Sequence, residues 1–155
     1  MAGVAKAISI REPWLWCITA LKEPHGKRVE NRGWKTGYRG EVWLHASKKI
    51  DEGAPMGRIL VGDEFTDLQI WLEGEGLPLG CIVARTKILD CLDLSTKAAL
   101  RYYKRTRTLQ ARWLAGPYAL TLDVVEVLPE PVPCAGALYF WTIKPEVLEK
   151  CEAQL

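Results

Sequence analysis

Histidine is scarce in this chain of 155 residues, with two, at positions 25 and 45. The five cysteines, at 17, 81, 91, 134 and 151, contain no Cys-x-x-Cys pair. Structural zinc normally takes four clustered Cys or His ligands, so no metal site is expected. Scattered thiols among apolar neighbours read instead as reduced residues of an intracellular protein. No apolar run approaches the roughly 20 residues of a membrane span, and the segment between Lys6 and Arg11 is too short for a signal peptide. Internal repeats and low-complexity tracts are also lacking. The expectation is one domain over residues 1–155, cytoplasmic, off the membrane, monomeric and without a cofactor.

Net charge is small too, +2 with 26% charged residues, so total charge points to no partner. Its distribution says more. Residues 1–49 hold ten Lys or Arg against four acids, 50–95 hold three against nine, and 95–122 hold six bases and no acid. Two basic segments around an acidic one predict a surface with a preferred side for an anion.

The first basic segment contains the most informative stretch, KRVENRGWKTGYRGEVWLHASKK over 27–49. Lys27, Glu30, Arg32 and Arg39 bring one carboxylate among several cations, beside the flat faces of Trp34 and Tyr38. If 28–32 is extended, side-chain alternation places Arg28, Glu30 and Arg32 on one face. Glu30 between cations is expected to stay ionised. Its oxygens suit an exocyclic amine, while a guanidinium suits a phosphate or carbonyl. Solvated surface ion pairs are the alternative reading of the same charges. Gly33, Gly37 and Gly40 permit tight turns and close approach of a ligand.

Periodicity supplies the scaffold. Strands are predicted at 7–10, 41–47, 79–94, 118–127 and 138–143, besides the extended 28–32. Helices are predicted after Pro13 through Trp14, Ile18 and Leu21, after an Asp63 or Thr66 cap through Leu72, after a Ser95 cap through Tyr102, and from Pro145. Residues 50–62 read as a loop, and Pro129, Pro131 and Pro133 as an extended linker. In the strand at 41–47, Val42, Leu44 and Ala46 form the apolar face, with Trp43 and His45 on the other. Trp14 suits either the core or the wall of a site, and His45 either a structural role or the same cleft. About six strands with several short helices and no βαβ regularity predict an α+β domain with a mixed β-barrel. Further along, Arg101, Lys104, Arg105 and Arg107, interleaved with Tyr102 and Tyr103, read as either a phosphate-contacting patch or a solvated helix face.

Trp14 after Pro13, then Gly26-Lys27-x-x-Glu30-x-Arg32-x-Trp34-x-Thr36-x-Tyr38-Arg39-Gly40, then Leu44-His45-Ala46-Ser47, resembles the ASCH domain, a branch of the PUA-like superfamily found in phages and bacteria. The resemblance continues in Trp113-x-x-Gly116-Pro117-Tyr118-Ala119-Leu120 and from Pro131-Val132-Pro133-Cys134-x-Gly136 to Phe140-Trp141. One departure is that Gly26 abuts Lys27, whereas the family motif is usually Gly-x-Lys-x-x-Glu-x-Arg. The resemblance implies a PUA-like barrel and RNA, DNA or a modified nucleotide as ligand. In that reading the cleft takes a base through Trp14, Asn31, Arg32, Trp34, Tyr38 and Arg39. Lys48, Lys49, Arg101, Lys104, Arg105 and Arg107 then hold phosphates.

The alternative is a hydrolase acting on RNA or an acylated nucleoside, with Lys27, Glu30 and His45 as its catalytic residues. Some ASCH-like proteins are ribonucleases, and others remove an acetyl group with a Lys, Thr, Glu arrangement. Here the third residue after Lys27 is Glu30 where that arrangement has its threonine, and no residue is assigned to the separate glutamate. A carboxylate nucleophile would pass through an anhydride, so Glu30 fits a general base better.

Overall fold

The computed structural model describes residues 4–155. Its strands are β1 (Lys6–Ile10), β2 (Val29–Arg32), β3 (Gly40–Ala46), β4 (Cys81–Asp93), β5 (Tyr118–Leu122), β6 (Glu126–Pro133) and β7 (Phe140–Thr142). The helices are α1 (Trp14–Thr19), α2 (Met56–Ile59), α3 (Glu64–Glu73), α4 (Lys97–Thr106), α5 (Thr108–Ala111) and α6 (Pro145–Glu152). The architecture is α+β. Strands run in the order β2-β5-β4-β3-β1-β7, with β6 added to β4.

β4 is the hub because its β-branched and apolar run is long enough to pair along both edges. Its partners on one edge are β6 at Cys81–Arg85 and β5 at Ile88–Asp93, while β3 lies along the other. Register shifts between Ile82 and Ala84 and between Ile88 and Asp90 bend it, as bulges do. β2 and β1 stand four steps apart in the sheet order, yet the Arg32 guanidinium donates to the Ser9 carbonyl at 2.9 Å. The sheet therefore curls until β2 faces β1, and a side chain rather than a backbone ladder spans the gap.

The predicted α+β fold of about six strands with short helices is borne out, with seven strands whose curled sheet leaves this gap unclosed. The proline segment is not a linker. Val127 and Val132 pair with Ala84 and Ile82, and Pro129 and Pro131 fall within the register irregularity between those pairs. On an edge strand such prolines forfeit no ladder bond. The strand predicted at 118–127 is two strands, parted where Thr86 Oγ1 donates to the carbonyls of Asp123 and Val124. Residues 50–62 include the short α2. Ser95 does not cap α4, since its hydroxyl donates to Asp93 at 2.6 Å and Thr96 occupies the cap position.

β3 is buried on both faces rather than one. Val42 and Leu44 join Ile8, Leu15, Ile88 and Leu120 inside the curl. Trp43 packs outside it with Ile82, Val132 and Cys151 of α6. A third cluster, with Trp16, Met56, Leu68, Tyr103 and Trp113, joins α1, α3 and α4. Among the described residues no helix is long and apolar enough to cross a membrane. All five cysteines are free, and no three His, Cys, Asp or Glu of the described residues cluster as a metal site.

Candidate functional site

The connection from α1 to β2 is fixed by side chains. The Lys27 amide donates to Cys17 O at 2.9 Å. Buried Gln110 accepts from the Arg28 amide and donates to Gly26 O, each at 2.8 Å. A methyl on Gly26 would lie 2.5 Å from Leu21 O, so glycine is required for this approach. The effect is to turn Lys27 inward, where it is 0% exposed. Its ammonium donates to Val29 O at 2.5 Å and Glu30 Oε1 at 2.8 Å, and lies 5.8 Å from the Trp14 ring centre.

Glu30 is 8% exposed. Its second oxygen, Oε2, accepts from Arg32 Nη2 at 3.0 Å. Burial alone pushes the Glu30 carboxyl upward, but Lys27 and Arg32 outweigh it and hold the group below the ordinary carboxylate value. Arg28 does not share this face. β2 begins after it, and its guanidinium turns to Ile18 O and Glu23.

Beside this pair opens a cavity of about 780 Å³. Lys27, Glu30, Asn31 and Arg32 form one side, Ser9, Ile10 and Trp14 another, and His45 with Ser47 to Lys49 a third. Residues 135–139 form the remaining side. Trp14 is a wall, positioned by its indole donating to Asp51 at 2.9 Å. The Asn31 amide is spent on structure, donating to Trp113 O and accepting from the Ala115 and Gly116 amides.

Trp34, Tyr38 and Arg39 stand outside the cavity lining. Trp34 meets Tyr139 and Phe140 edge-on at 5.3 and 5.5 Å, and Tyr38 packs on Phe140 at 5.1 Å. They buttress the lip, while exposed Arg39 pairs with Asp90. Lys48 and Lys49 are exposed at the mouth. Arg101, Lys104, Arg105 and Arg107 are exposed on α4 and just after it, away from the cavity lining. Among the described residues none of these six is paired with a carboxylate.

His45 is 2% exposed, and its hydrogen bonds to Cys134 and Ser9 indicate its tautomer. A carbonyl only accepts, so Nε2 carries the proton and donates to Cys134 O at 2.8 Å. Nδ1 is then an acceptor for the Ser9 hydroxyl at 3.0 Å, and Ser9 Oγ accepts from the Trp141 indole at 3.1 Å. Burial lowers the His45 pKa, backbone hydrogen bonds to Cys134 and Gly80 partly offset it, and Lys48 adds a smaller lowering. The imidazole is therefore neutral at neutral pH. Ser9, Asp51 and Gln110 carried no signal in the sequence, and Trp141 stood there only as part of the family motif. Ser9 was merely a hydroxyl in the otherwise apolar run AISI.

The ASCH domain family model matches residues 8–126. Human activating signal cointegrator 1 is 30% identical over 94 residues, 56% of this chain and 14% of that protein. The chain thus spans a small part of that relative. The crystal structure of ASCH from Zymomonas mobilis aligns with 96% of this chain and 94% of its own, with TM-score 0.53 and 10% identity. A point mutant of that protein gives TM-score 0.52 at 10% identity, covering 96% of both chains. At such identity the likeness is one of fold.

Proposed function

This chain belongs to the ASCH domain family, a PUA-like fold linked generally to RNA binding, and from that premise we propose that it binds single-stranded RNA with one base in the cavity. The observation that carries the reading is Glu30, a buried carboxylate held ionised on the wall of a cavity of about 780 Å³. That volume falls within the range of about 300–1,000 Å³ common to small-ligand sites. Two of the carboxylate's roughly four lone-pair sites are taken, leaving acceptors for an exocyclic amine. Arg32 keeps Nη1 and Nε for a ring nitrogen or carbonyl, and Trp14 supplies a face for stacking. The unpaired cations at the mouth and on α4 suit phosphates outside the cavity.

Fluorescence anisotropy with a labelled single-stranded RNA tests this. Affinity is expected to fall steeply with salt, by about 0.7 in log K per log salt for each phosphate contact. Replacing Arg101, Lys104 and Arg105 together by Ala reduces that slope, whereas Arg32→Ala weakens binding by about 1–3 kcal/mol with the slope nearly kept. Absence of affinity for RNA at low salt refutes the reading, and equal affinity for DNA redirects it to nucleic acids in general.

Hydrolysis with Glu30 as general base has less support. Both its oxygens already accept from cations, and a carboxyl held below its ordinary pKa is a weaker base.

A further inference from the structure

A second chemical centre occupies the same cavity. Ser9 is half-buried and lines the cavity, and its Oγ accepts from the Trp141 indole and donates to His45 Nδ1. We propose that Ser9 is a nucleophile, activated by His45, that takes the acyl group of a small carboxylic ester.

Five features of the geometry point this way. The tautomer is correct without adjustment, since Cys134 O fixes the proton on Nε2 and leaves Nδ1 free to accept from Ser9. The imidazole is buried with its Nδ1 lone pair directed at the Ser9 hydroxyl at 3.0 Å, the position a base needs. Arg32, bound to the Ser9 backbone carbonyl and to Glu30, lines the same cavity as Ser9 with two nitrogens unassigned to any protein acceptor, which suits an oxyanion. Ile10, Ala135, Ala137 and Leu138 give the same cavity an apolar portion for a short acyl chain. Gly136 permits the close covering of the pair. A methyl there would lie 2.5 Å from Ser9 Oγ and 2.7 Å from the His45 ring.

The step balances within these groups. Ser9 Oγ bonds to the ester carbonyl carbon as its proton passes to Nδ1, and the carbonyl oxygen becomes an oxyanion facing Arg32. Collapse breaks the carbon–oxygen bond to the alcohol, which leaves with the proton from Nδ1. Water then gives a proton to Nδ1 and attacks the acyl-serine. Collapse releases the carboxylic acid and returns the proton to Ser9. Glu30 takes no part beyond holding Arg32, and because a base would use the same Arg32 nitrogens and the same cavity, RNA and ester compete for it.

The experiment uses the full chain and a small fluorophosphonate, which forms a stable adduct on activated serines with loss of fluoride. Intact-mass and peptide spectrometry are expected to show one adduct, on Ser9. Ser9→Ala removes it, and His45→Gln slows its formation by about 10²–10⁴-fold, the scale of general-base catalysis. Gly136→Ala, which places a methyl against Oγ, also blocks it. A hydrogen-bonded strut with no nucleophilic role would give no adduct in the wild type. Absence of labelling there, an adduct surviving Ser9→Ala, or an unchanged rate in a folded His45→Gln protein each overturns the proposal. Since RNA affinity is measured separately, loss of either result leaves the other interpretable.

Discussion

Replacing Glu30 by Gln tests the electrostatics on which the cavity depends. Lys27 is wholly buried, and its only anionic partner among the described residues is Glu30 at 2.8 Å. Glutamine leaves that ammonium with neutral acceptors, Val29 O among them, and turns an N–H₂ toward one of the two cations. Removing one partner of a buried pair costs about 3–5 kcal/mol, and the remaining amide oxygen favours the lower end. Lys27→Met is the converse perturbation and is expected to cost only about 1 kcal/mol, because Glu30 keeps Arg32 at 3.0 Å and methionine fills similar volume. The assay is urea unfolding at neutral pH. With a slope near 2 kcal/mol/M, the Glu30→Gln midpoint drops by about 1.5 M and that of Lys27→Met by about 0.5 M. Glu30 has its folded pKa lowered, so its stabilisation is present above the unfolded value near 4.5 and is lost as pH falls through the folded one. The gap between wild type and Glu30→Gln should therefore close only in acid. Equal midpoints at neutral pH, or a larger loss for Lys27→Met than for Glu30→Gln, would refute the reasoning.

Glu12 titrates in the opposite sense. Burial raises its carboxyl from 4.5 to about 7, partly opposed by the Trp16 amide that donates to it at 2.7 Å. A raised folded pKa gives stability that is fully present below pH 4.5 and lost as pH passes through about 7. Glu12→Gln should flatten that decline, by up to about 3 kcal/mol between pH 5 and 8, and parallel pH profiles in denaturant titrations would count against it. Gly80 has φ +71°, and a methyl on it would lie 3.3 Å from the Lys48 side chain. Gly80→Ala is expected to cost about 1–2 kcal/mol and lower Tm by about 3–6 °C, whereas Gly33→Ala, with nothing within 4 Å and no positive φ, should leave Tm nearly unchanged. Equal melting temperatures for the two variants would remove the backbone argument.

The parts legible in sequence were those written locally. β1, β3, β4 and α6 follow from alternation, β-branched runs and a proline at a helix start, and the charged motif located one side of the cavity. β6 was hidden because proline normally reads as the end of a strand. Its pairing with β4 depends on a register irregularity that only the partner strand reveals. The burial of Trp43 was equally hidden. Alternation cannot distinguish a solvated face from one covered by α6 and the edge strand β6, which arrive about a hundred residues later.

The cavity shows why site chemistry was read less completely than fold. The Lys27, Glu30 and Arg32 set lies within six residues, so spacing alone could assemble it, although spacing did not reveal that Lys27 would be turned inward by Gln110, 83 positions away. Nothing local joins Ser9 to its partners, since His45 is 36 positions away and Trp141 is 132. They meet because β1 pairs in parallel with β3 and antiparallel with β7, placing Ser9 level with His45 and Trp141 opposite Ala7, two residues before Ser9. A serine in a short apolar strand is thus chemically silent until its two neighbouring strands are known. The curl of the sheet then brings Arg32 round to the same residue. One set of contacts therefore spans the gap in the sheet and lines the cavity, so substitutions there should report on stability and ligand together, whereas those on α4 should report on ligand alone.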